Sequence, residues 1–221
     1  MRRRPAGLLA VGAAALVAAA CGGDDSNGEE TAAAPEPTAC RQVAQPLPKE
    51  APTLNAPETQ LEEGKSYRLT FKTNCGDFTI ELDPEASPNA TASFFQLAEN
   101  GYFDDTTFHR VVPGFVIQGG DPTARGDGGP GYSTVDPPAA DTEYTRGVVA
   151  MAKTQAEAPG TAGSQFFVVT APDAGLPPDY AVIGRVTSGM EAVHKIEALG
   201  DQTTQRPSQA IVVSGVDAES S

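Results

Sequence analysis

The alternation of hydrophobic and polar positions predicts a domain made of short β-strands. Residues 67–73 and 78–82 each alternate apolar with polar side chains, and Cys75-Gly76-Asp77 lies between them, which is the pattern of a β-hairpin. Short apolar runs predict four more strands, at residues 147–152, 164–170, 181–186 and 210–216. With a second hairpin at residues 107–121, the pattern indicates about eight strands.

This second hairpin contains a cation in apolar surroundings. Phe108 and Val112 alternate around Arg110, Pro113-Gly114 is a turn pair, and an apolar run resumes after it. A buried arginine costs several kcal/mol unless it is paired or faces a groove. Arg110 therefore either has an ion partner or lines a site.

Two helices accompany the strands. The first is predicted to start with Ser87 as N-cap and Pro88 at the first helical position, and to end at Asn100-Gly101. The second is predicted from four apolar residues at helical spacing, Met190, Val193, Ile196 and Leu199. The combination indicates a mainly β protein, a closed barrel or a sandwich with helical plugs.

The first 60 residues lack this pattern. Residues 1–20 combine three arginines, a short apolar run and three alanines, the arrangement of a secretory signal peptide. The run is shorter than the roughly 20 apolar residues of a transmembrane helix. Residues 21–60 are rich in Ala, Pro, Glu and Thr and predict a flexible tether. We expect the ordered domain at 61–217 and a short tail at 218–221.

The chain is acidic, which limits its partners. Its formal charge is −14 at pH 7, and removal of residues 1–20, which hold three arginines and no acid, gives −17. Nucleic-acid binding needs clustered lysine and arginine, so we expect no nucleic-acid partner.

Cys21 directly follows the small residues and resembles the lipidated cysteine of bacterial lipoproteins, which becomes the mature N-terminus. Ala18 stands in the place of the usual leucine. The alternative is an ordinary cleaved signal with an incidental cysteine. The resemblance implies a protein outside the cytoplasm, anchored to the cell membrane by acyl chains that each contribute about 0.8 kcal/mol per buried methylene.

Cys40 and Cys75 are the other two cysteines. In an oxidising compartment an isolated pair can form a disulfide, which here ties the segment before the domain to the first hairpin. Two free buried thiols and a metal site are the alternatives, and no matching His/Cys spacing supports a metal.

Two segments resemble the signatures of the cyclophilin-type peptidyl-prolyl cis–trans isomerases. Phe108-His109-Arg110, Pro113-Gly114-Phe115 and Gln118-Gly119-Gly120-Asp121 resemble the first, and Gly163-Ser164-Gln165-Phe166-Phe167 resembles the second. The resemblance covers residues 65–217. It implies a closed eight-stranded antiparallel barrel capped by two helices, and rotation of X–Pro peptide bonds without a cofactor or a metal.

The resemblance also implies a site. Arg110 is the implied catalytic residue, contacting the substrate prolyl group and its neighbouring carbonyl. The implied wall of the proline pocket consists of Phe115, Val116, Phe167 and Leu176. Gln118 is implied to bind the substrate backbone and orient Arg110, and Tyr180, in the place of a histidine, can still form hydrogen bonds. The groove for residues before the proline is implied to be lined by Ala152, Lys153, Thr154 and Gln165.

Besides Tyr180, four positions depart from the family pattern and concern selectivity rather than turnover. Val116 stands where most members have methionine, and Lys153 and Thr154 replace asparagine and alanine. Gly175 replaces a tryptophan on which cyclosporin binding depends.

The predicted function is acceleration of X–Pro rotation to assist the folding of extracytoplasmic proteins. The expected partners are proline-containing peptides and unfolded proteins, and the protein is expected to be a monomer. The alternative is a non-catalytic module that binds proline-containing peptides, or a scaffold, through the same groove. His109 is interpreted as structural because prolyl rotation transfers no proton, and Ser164 lacks the G-x-S-x-G context of a hydrolase.

Overall fold

The domain is mainly β, with two short helices. The computed structural model describes residues 39–221. Its elements are β1 (Tyr67–Thr73), β2 (Gly76–Leu82), α1 (Pro88–Glu99), β3 (Arg110–Val112), β4 (Val116–Gly119), β5 (Thr134–Val135), β6 (Val148–Met151), β7 (Thr161–Ala162), β8 (Phe166–Val169), β9 (Val182–Ser188), α2 (Met190–Glu197) and β10 (Val213–Ser220). Each predicted strand and helix has a counterpart, and β5 and β7 form an additional two-residue ribbon. Neither helix of this range is long and apolar enough to cross a membrane.

The eight longer strands form one antiparallel sheet in the order β10-β1-β2-β9-β6-β8-β4-β3. This sheet is an open half-barrel, so the expected closed barrel is wrong. Its edge strands, β3 and β10, do not pair, and an isolated bridge between Thr107 and Val212 links the chain beside them. The loop between α2 and β10 lies along β3 instead, where the Val111 N–H donates to the Gln205 carbonyl at 2.9 Å.

An aromatic cluster fills the space between the sheet and the helices. Its fully buried members are Phe71, Phe78, Phe94, Phe103, Phe108 and Phe166. Phe94 and Phe103 lie 4.8 Å apart between ring centroids, close enough for the rings to contact. A second, smaller cluster on the other face of β4, β6 and β8 includes Val116 and Phe167. The strands that carry the site therefore have a buried residue on both faces.

The N-terminus of α1 is capped by a residue far away in the sequence. Ser87 occupies the predicted N-cap position, but its hydroxyl is buried and has no hydrogen-bond partner in the described part of the chain. The Asp136 carboxylate instead accepts hydrogen bonds from the Ala90 N–H at 2.6 Å and from Asn89 Nδ2 at 2.7 Å. A carboxylate is also favoured there by the helix dipole.

Residues 40–60, hereafter the strap, lie against the domain, although the sequence predicts a flexible tether there. The strap has no helix or strand, but a disulfide joins Cys40 to Cys75. Backbone N–H groups of the strap donate to domain carbonyls at 2.8–2.9 Å, from Arg41 to Asn74, from Lys49 to Pro122 and from Leu54 to Pro130. The polar composition of the strap predicts its irregular backbone but not its attachment.

The C-terminal strand lies later in the chain than predicted. β10 pairs with β1 as far as Ser220, which lies opposite Tyr67, so residues 218–220 belong to the sheet rather than to a tail. The predicted start of this strand is used elsewhere, because the Ile211 carbonyl accepts a hydrogen bond from the Phe108 N–H at 3.1 Å.

Candidate active site

Arg110, Gln118 and Phe167 lie in one row across the sheet. Arg110 on β3 is paired with Gln118 on β4, which is paired with Phe167 on β8. Directly opposed residues of antiparallel strands point to the same face. The prediction that Phe166 and Phe167 divide between core and groove is confirmed, since Phe166 joins the aromatic core and Phe167 the outer cluster.

A cavity of about 170 Å³ lies at this row. It is lined by nine of the predicted residues, namely Arg110, Phe115, Val116, Gln118, Ala152, Lys153, Phe167, Leu176 and Tyr180. Val116 and Phe167 are 2% and 4% exposed, so they form a firm apolar floor. The cavity suits a compact apolar group placed next to a cation.

Arg110 has neutral partners. Its Nε donates to Gln205 Oε1 at 2.8 Å, its Nη1 donates to Gln118 Oε1 at 3.3 Å, and its Cζ lies 5.9 Å from the centre of the Phe115 ring. Within residues 39–221 no carboxylate forms a salt bridge with it. Burial lowers the pKa of Arg110, but an arginine stays protonated at neutral pH. Of the two alternatives for this cation, the structure therefore supports a site over an ion pair.

A second cavity of about 250 Å³ adjoins the first and shares Gln118, Ala152 and Lys153 with it. Thr154 and Gln165, the two remaining residues of the predicted groove, line this second cavity. Gln118 Nε2 donates to Gln165 Oε1 at 3.1 Å, and Gln165 Nε2 donates to the Gly128 carbonyl at 3.0 Å. Hydrogen-bonded amides thus connect Arg110 with the glycine-rich loop.

Lys153 lines both cavities, but its charge is matched by a carboxylate. Its side chain is 3% exposed, and Nζ lies 2.5 Å from an Asp179 carboxylate oxygen. Nζ also donates to the carbonyls of Thr154 and Glu157 and lies 5.5 Å from the centre of the Tyr180 ring. The lysine thus supports the walls of the groove and presents little free charge to a ligand.

Comparison with known proteins identifies the family. The family model described as cyclophilin type peptidyl-prolyl cis-trans isomerase/CLD matches residues 68–218. The chain belongs to this family. Its activity is accordingly that of a peptidyl-prolyl cis–trans isomerase.

Two relatives of this cyclophilin domain are similar to it over most of their own length. The chain is 36% identical over 149 residues to peptidyl-prolyl cis-trans isomerase CYP18-2 of Arabidopsis thaliana, covering 66% of this chain and 89% of that protein. It is 36% identical over 143 residues to peptidyl-prolyl cis-trans isomerase-like 1 of Emericella nidulans, covering 63% and 86%.

A cyclophilin-type isomerase of Cryptosporidium parvum has a similar crystal structure. Its TM-score is 0.64 at 31% identity, with 70% of this chain and 98% of that chain covered. A second structure of that protein was determined in the presence of the dipeptide Ala-Pro, and it matches with a TM-score of 0.63 at 31% identity, covering 69% of this chain and 98% of that chain.

Three residues that contact the site were missed by the sequence prediction. They are Gln205, which accepts from Arg110, Asp179, which pairs with Lys153, and Glu157, whose carboxylate accepts from the Thr154 N–H at 2.6 Å and from its hydroxyl at 2.8 Å. Each lies in a loop without hydrophobic periodicity. The position of Asp179 directly before Tyr180 was the one available signal.

Ser164 is structural in this cyclophilin domain. It is fully buried, donates to the Gly120 carbonyl at 2.7 Å and lies 3.0 Å from the Tyr102 hydroxyl. Burial raises the pKa of Tyr102 to about 12, so the pair carries no charge at neutral pH. Ser164 thus anchors the second signature segment to the first.

The two remaining predictions concern His109 and Cys21. His109 directly precedes β3 and lies outside both cavities of the site, and its Nδ1 is buried without a hydrogen-bond partner among residues 39–221. Cys21 lies outside the described residues, so its proposed lipidation remains a prediction.

Proposed function

We propose that Arg110 is the catalytic group of this isomerase and that the 170 Å³ cavity receives the proline ring. The observation that carries the proposal is a guanidinium held by two neutral amide oxygens beside an apolar cavity. A carboxylate partner would neutralise the guanidinium, whereas amide oxygens orient it and leave its charge available.

To catalyse the reaction, the site needs only to bind a twisted amide more tightly than a planar one. Resonance in the X–Pro C–N bond sets a barrier of ~18–20 kcal/mol to rotation. A group that binds the twisted amide better than either planar form accelerates rotation in both directions. Hydrogen bonds from Arg110 to the prolyl nitrogen and its neighbouring carbonyl favour the form with reduced conjugation.

The other residues of the cavity hold the substrate in place. The proline ring packs on Phe115, Val116, Phe167 and Leu176, with Tyr180 closing the wall. The peptide before the proline follows the second cavity, past Ala152, Thr154 and Gln165. Gln118 contacts both cavities, and we assign to it the double role of binding the substrate backbone and orienting Arg110.

A protease-coupled assay on an Ala-Pro peptide tests the proposal. The wild-type protein should accelerate isomerisation, and Arg110→Ala should lose most of the acceleration. Arg68→Ala is the matched control, because Arg68 lies on β1 and its salt bridge with Glu81 is remote from both cavities. If wild type and Arg110→Ala both gave the rate of buffer alone, the domain would be a non-catalytic proline-peptide-binding or scaffold module.

We also propose that the mature protein is an extracytoplasmic monomer, anchored to the cell membrane by lipid on Cys21, where it assists the folding of proline-containing proteins. The proposal is supported by the signal-like residues 1–20 and by the position of Cys21. The Cys40–Cys75 disulfide is compatible with an oxidising compartment. Proline isomerisation takes tens of seconds without a catalyst, so unfolded proteins are natural substrates there.

Mass spectrometry of the mature N-terminus tests the anchor. A lipidated Cys21 should appear in the wild type and should be absent from Cys21→Ser, which should also leave the membrane fraction. An unmodified N-terminus elsewhere in the chain would contradict the anchor without affecting the isomerase proposal. Sedimentation equilibrium tests whether the domain is a monomer.

A further inference from the structure

Arg110 forms two hydrogen bonds within residues 39–221, and the partner in the shorter one lies outside both signature segments. Nε donates to Gln205 Oε1 at 2.8 Å, whereas the Gln118 bond measures 3.3 Å. Gln205 lies in the loop between α2 and β10, 95 residues after Arg110. Gln118 and Gln205 bond different nitrogens of the guanidinium, so together they fix the plane of the group.

The backbone of Gln205 is held in an uncommon conformation. Its φ is +56°, in the left-handed region that ordinary side chains rarely adopt and that costs about 1–2 kcal/mol. Its N–H donates to the Asp201 carbonyl at 2.8 Å, and its carbonyl accepts from the Val111 N–H at 2.9 Å. The second bond attaches the loop to the residue that follows Arg110.

The loop around Gln205 is itself braced. The Asp201 carboxylate accepts from the backbone N–H groups of Thr203 at 3.0 Å and Thr204 at 2.7 Å, and from the Thr204 hydroxyl at 2.9 Å. A bridge between Gly200 and Pro207 closes the loop. Strained residues persist where their surroundings over-determine them, and they cluster at functional sites.

We propose that Gln205 is a positioning residue for Arg110, which holds the guanidinium at the proline cavity through a neutral acceptor. This inference rests on the proposed role of Arg110. The amide oxygen of Gln205 accepts from the Nε–H, which leaves the outer N–H groups that do not donate to Gln118 for the substrate. The αL backbone at Gln205 places the acceptor there, and the backbone bond to Val111 keeps it in register with β3.

Gln205→Gly separates positioning from folding. Glycine removes the amide but accepts a φ of +56° without strain, so the melting temperature should be unchanged or slightly raised. We expect kcat to fall roughly threefold to tenfold with KM nearly constant, because a small misplacement of a catalytic group lowers the rate steeply. Thr203→Gly, in the same loop but without a side-chain hydrogen bond in the described chain, should leave kcat unchanged.

A double-mutant cycle with Arg110→Lys shows whether Gln205 acts through Arg110 or through the fold. Lysine has no Nε–H donor at the matching position, so adding Gln205→Gly to Arg110→Lys should cause no further loss. Equal losses in both backgrounds would overturn the inference, because Gln205 would then act through the fold. An unchanged kcat for Gln205→Gly alone would overturn it as well.

A spectroscopic readout does not depend on activity. The Arg110 Nε–H resonance in a nitrogen–proton spectrum should shift and exchange faster in Gln205→Gly, and should stay in place in Thr203→Gly. An unmoved resonance would contradict the positioning role. Failure of Arg110→Ala to lower the rate would instead overturn the proposed function, so the two failures are distinguishable.

Discussion

Two cations line the same cavity, and their partners give them opposite roles. The side chain of Lys153 is almost fully buried, and its Nζ lies 2.5 Å from the Asp179 carboxylate, whereas within residues 39–221 Arg110 donates hydrogen bonds only to neutral amide oxygens. A matched charge contributes to the structure of the wall. An unmatched charge held in position remains available for a substrate. The charge of a residue in the sequence therefore does not define its role, which depends on what surrounds the charge.

Replacing each cation by methionine tests this difference directly and should give the largest effect. Arg110→Met should lower kcat/KM by roughly 10²–10³-fold, as expected when a preorganised donor at a developing charge is removed. Lys153→Met keeps the alkyl packing and should lower kcat/KM less than tenfold. Protease-coupled kinetics of the two variants check the contrast, and equal losses would refute it.

Removal of the disulfide should lower the stability of the protein but not its turnover. Its closed loop spans 35 residues, so Cys40→Ser with Cys75→Ser should lower the free energy of unfolding by about 2–4 kcal/mol. The activity of the native fraction should remain within about twofold, because neither cysteine lines a cavity of the site. Urea denaturation and kinetics at low temperature measure the two quantities. A large loss of kcat with the fold intact would show that the strap shapes the groove.

Breaking the Lys153–Asp179 pair should cost less. Asp179→Asn leaves a nearly buried ammonium without its counter-charge, which costs ~3–5 kcal/mol for a fully buried pair. The Asp179 side chain is 31% exposed, so we expect a loss of about 2 kcal/mol, measured by urea denaturation. Lys153→Met combined with Asp179→Asn should be more stable than the sum of the single losses predicts. Additive losses would mean that the ion pair contributes nothing.

The smallest effect concerns pH and His109. Burial lowers the pKa of His109, with Asp121 opposing the shift. The unfolded chain therefore binds a proton more readily than the folded one below about pH 6.5, so stability falls as the pH falls from 7 to 5, by at most ~1.4 kcal/mol per unit. His109→Gln should reduce this slope in urea denaturation. An unchanged slope in His109→Gln would assign the pH dependence to other groups.

Alternating strands were the most predictable part of the fold. The hairpin around Pro113-Gly114 follows from two-residue periodicity and turn chemistry, and β3 and β4 occupy it as expected. The open sheet was not predictable, because whether β3 meets β10 depends on where the loop carrying Gln205 packs. No periodicity marks that loop.

In the site, too, the strand residues were predictable and the loop residues were not. Strand residues such as Arg110 and Phe167 were predictable, because alternation and family resemblance agree on the face that they occupy. The partners that set the chemistry, Gln205 and Asp179, lie in loops, and their contacts depend on tertiary packing. The sequence therefore predicts which side chains surround the cavity more reliably than which charges remain free there.

If Cys21 carries the proposed lipid, the strap also limits how far from the membrane the enzyme can act. Cys21 and Cys40 are 19 residues apart in the sequence. At about 3.5 Å per extended residue, the disulfide keeps its attachment point on the domain within about 65 Å of a lipid on Cys21, compared with about 140 Å if the chain were free as far as Leu61. In an enzyme anchored in this way, the disulfide would restrict the substrates to a thin layer beside the membrane.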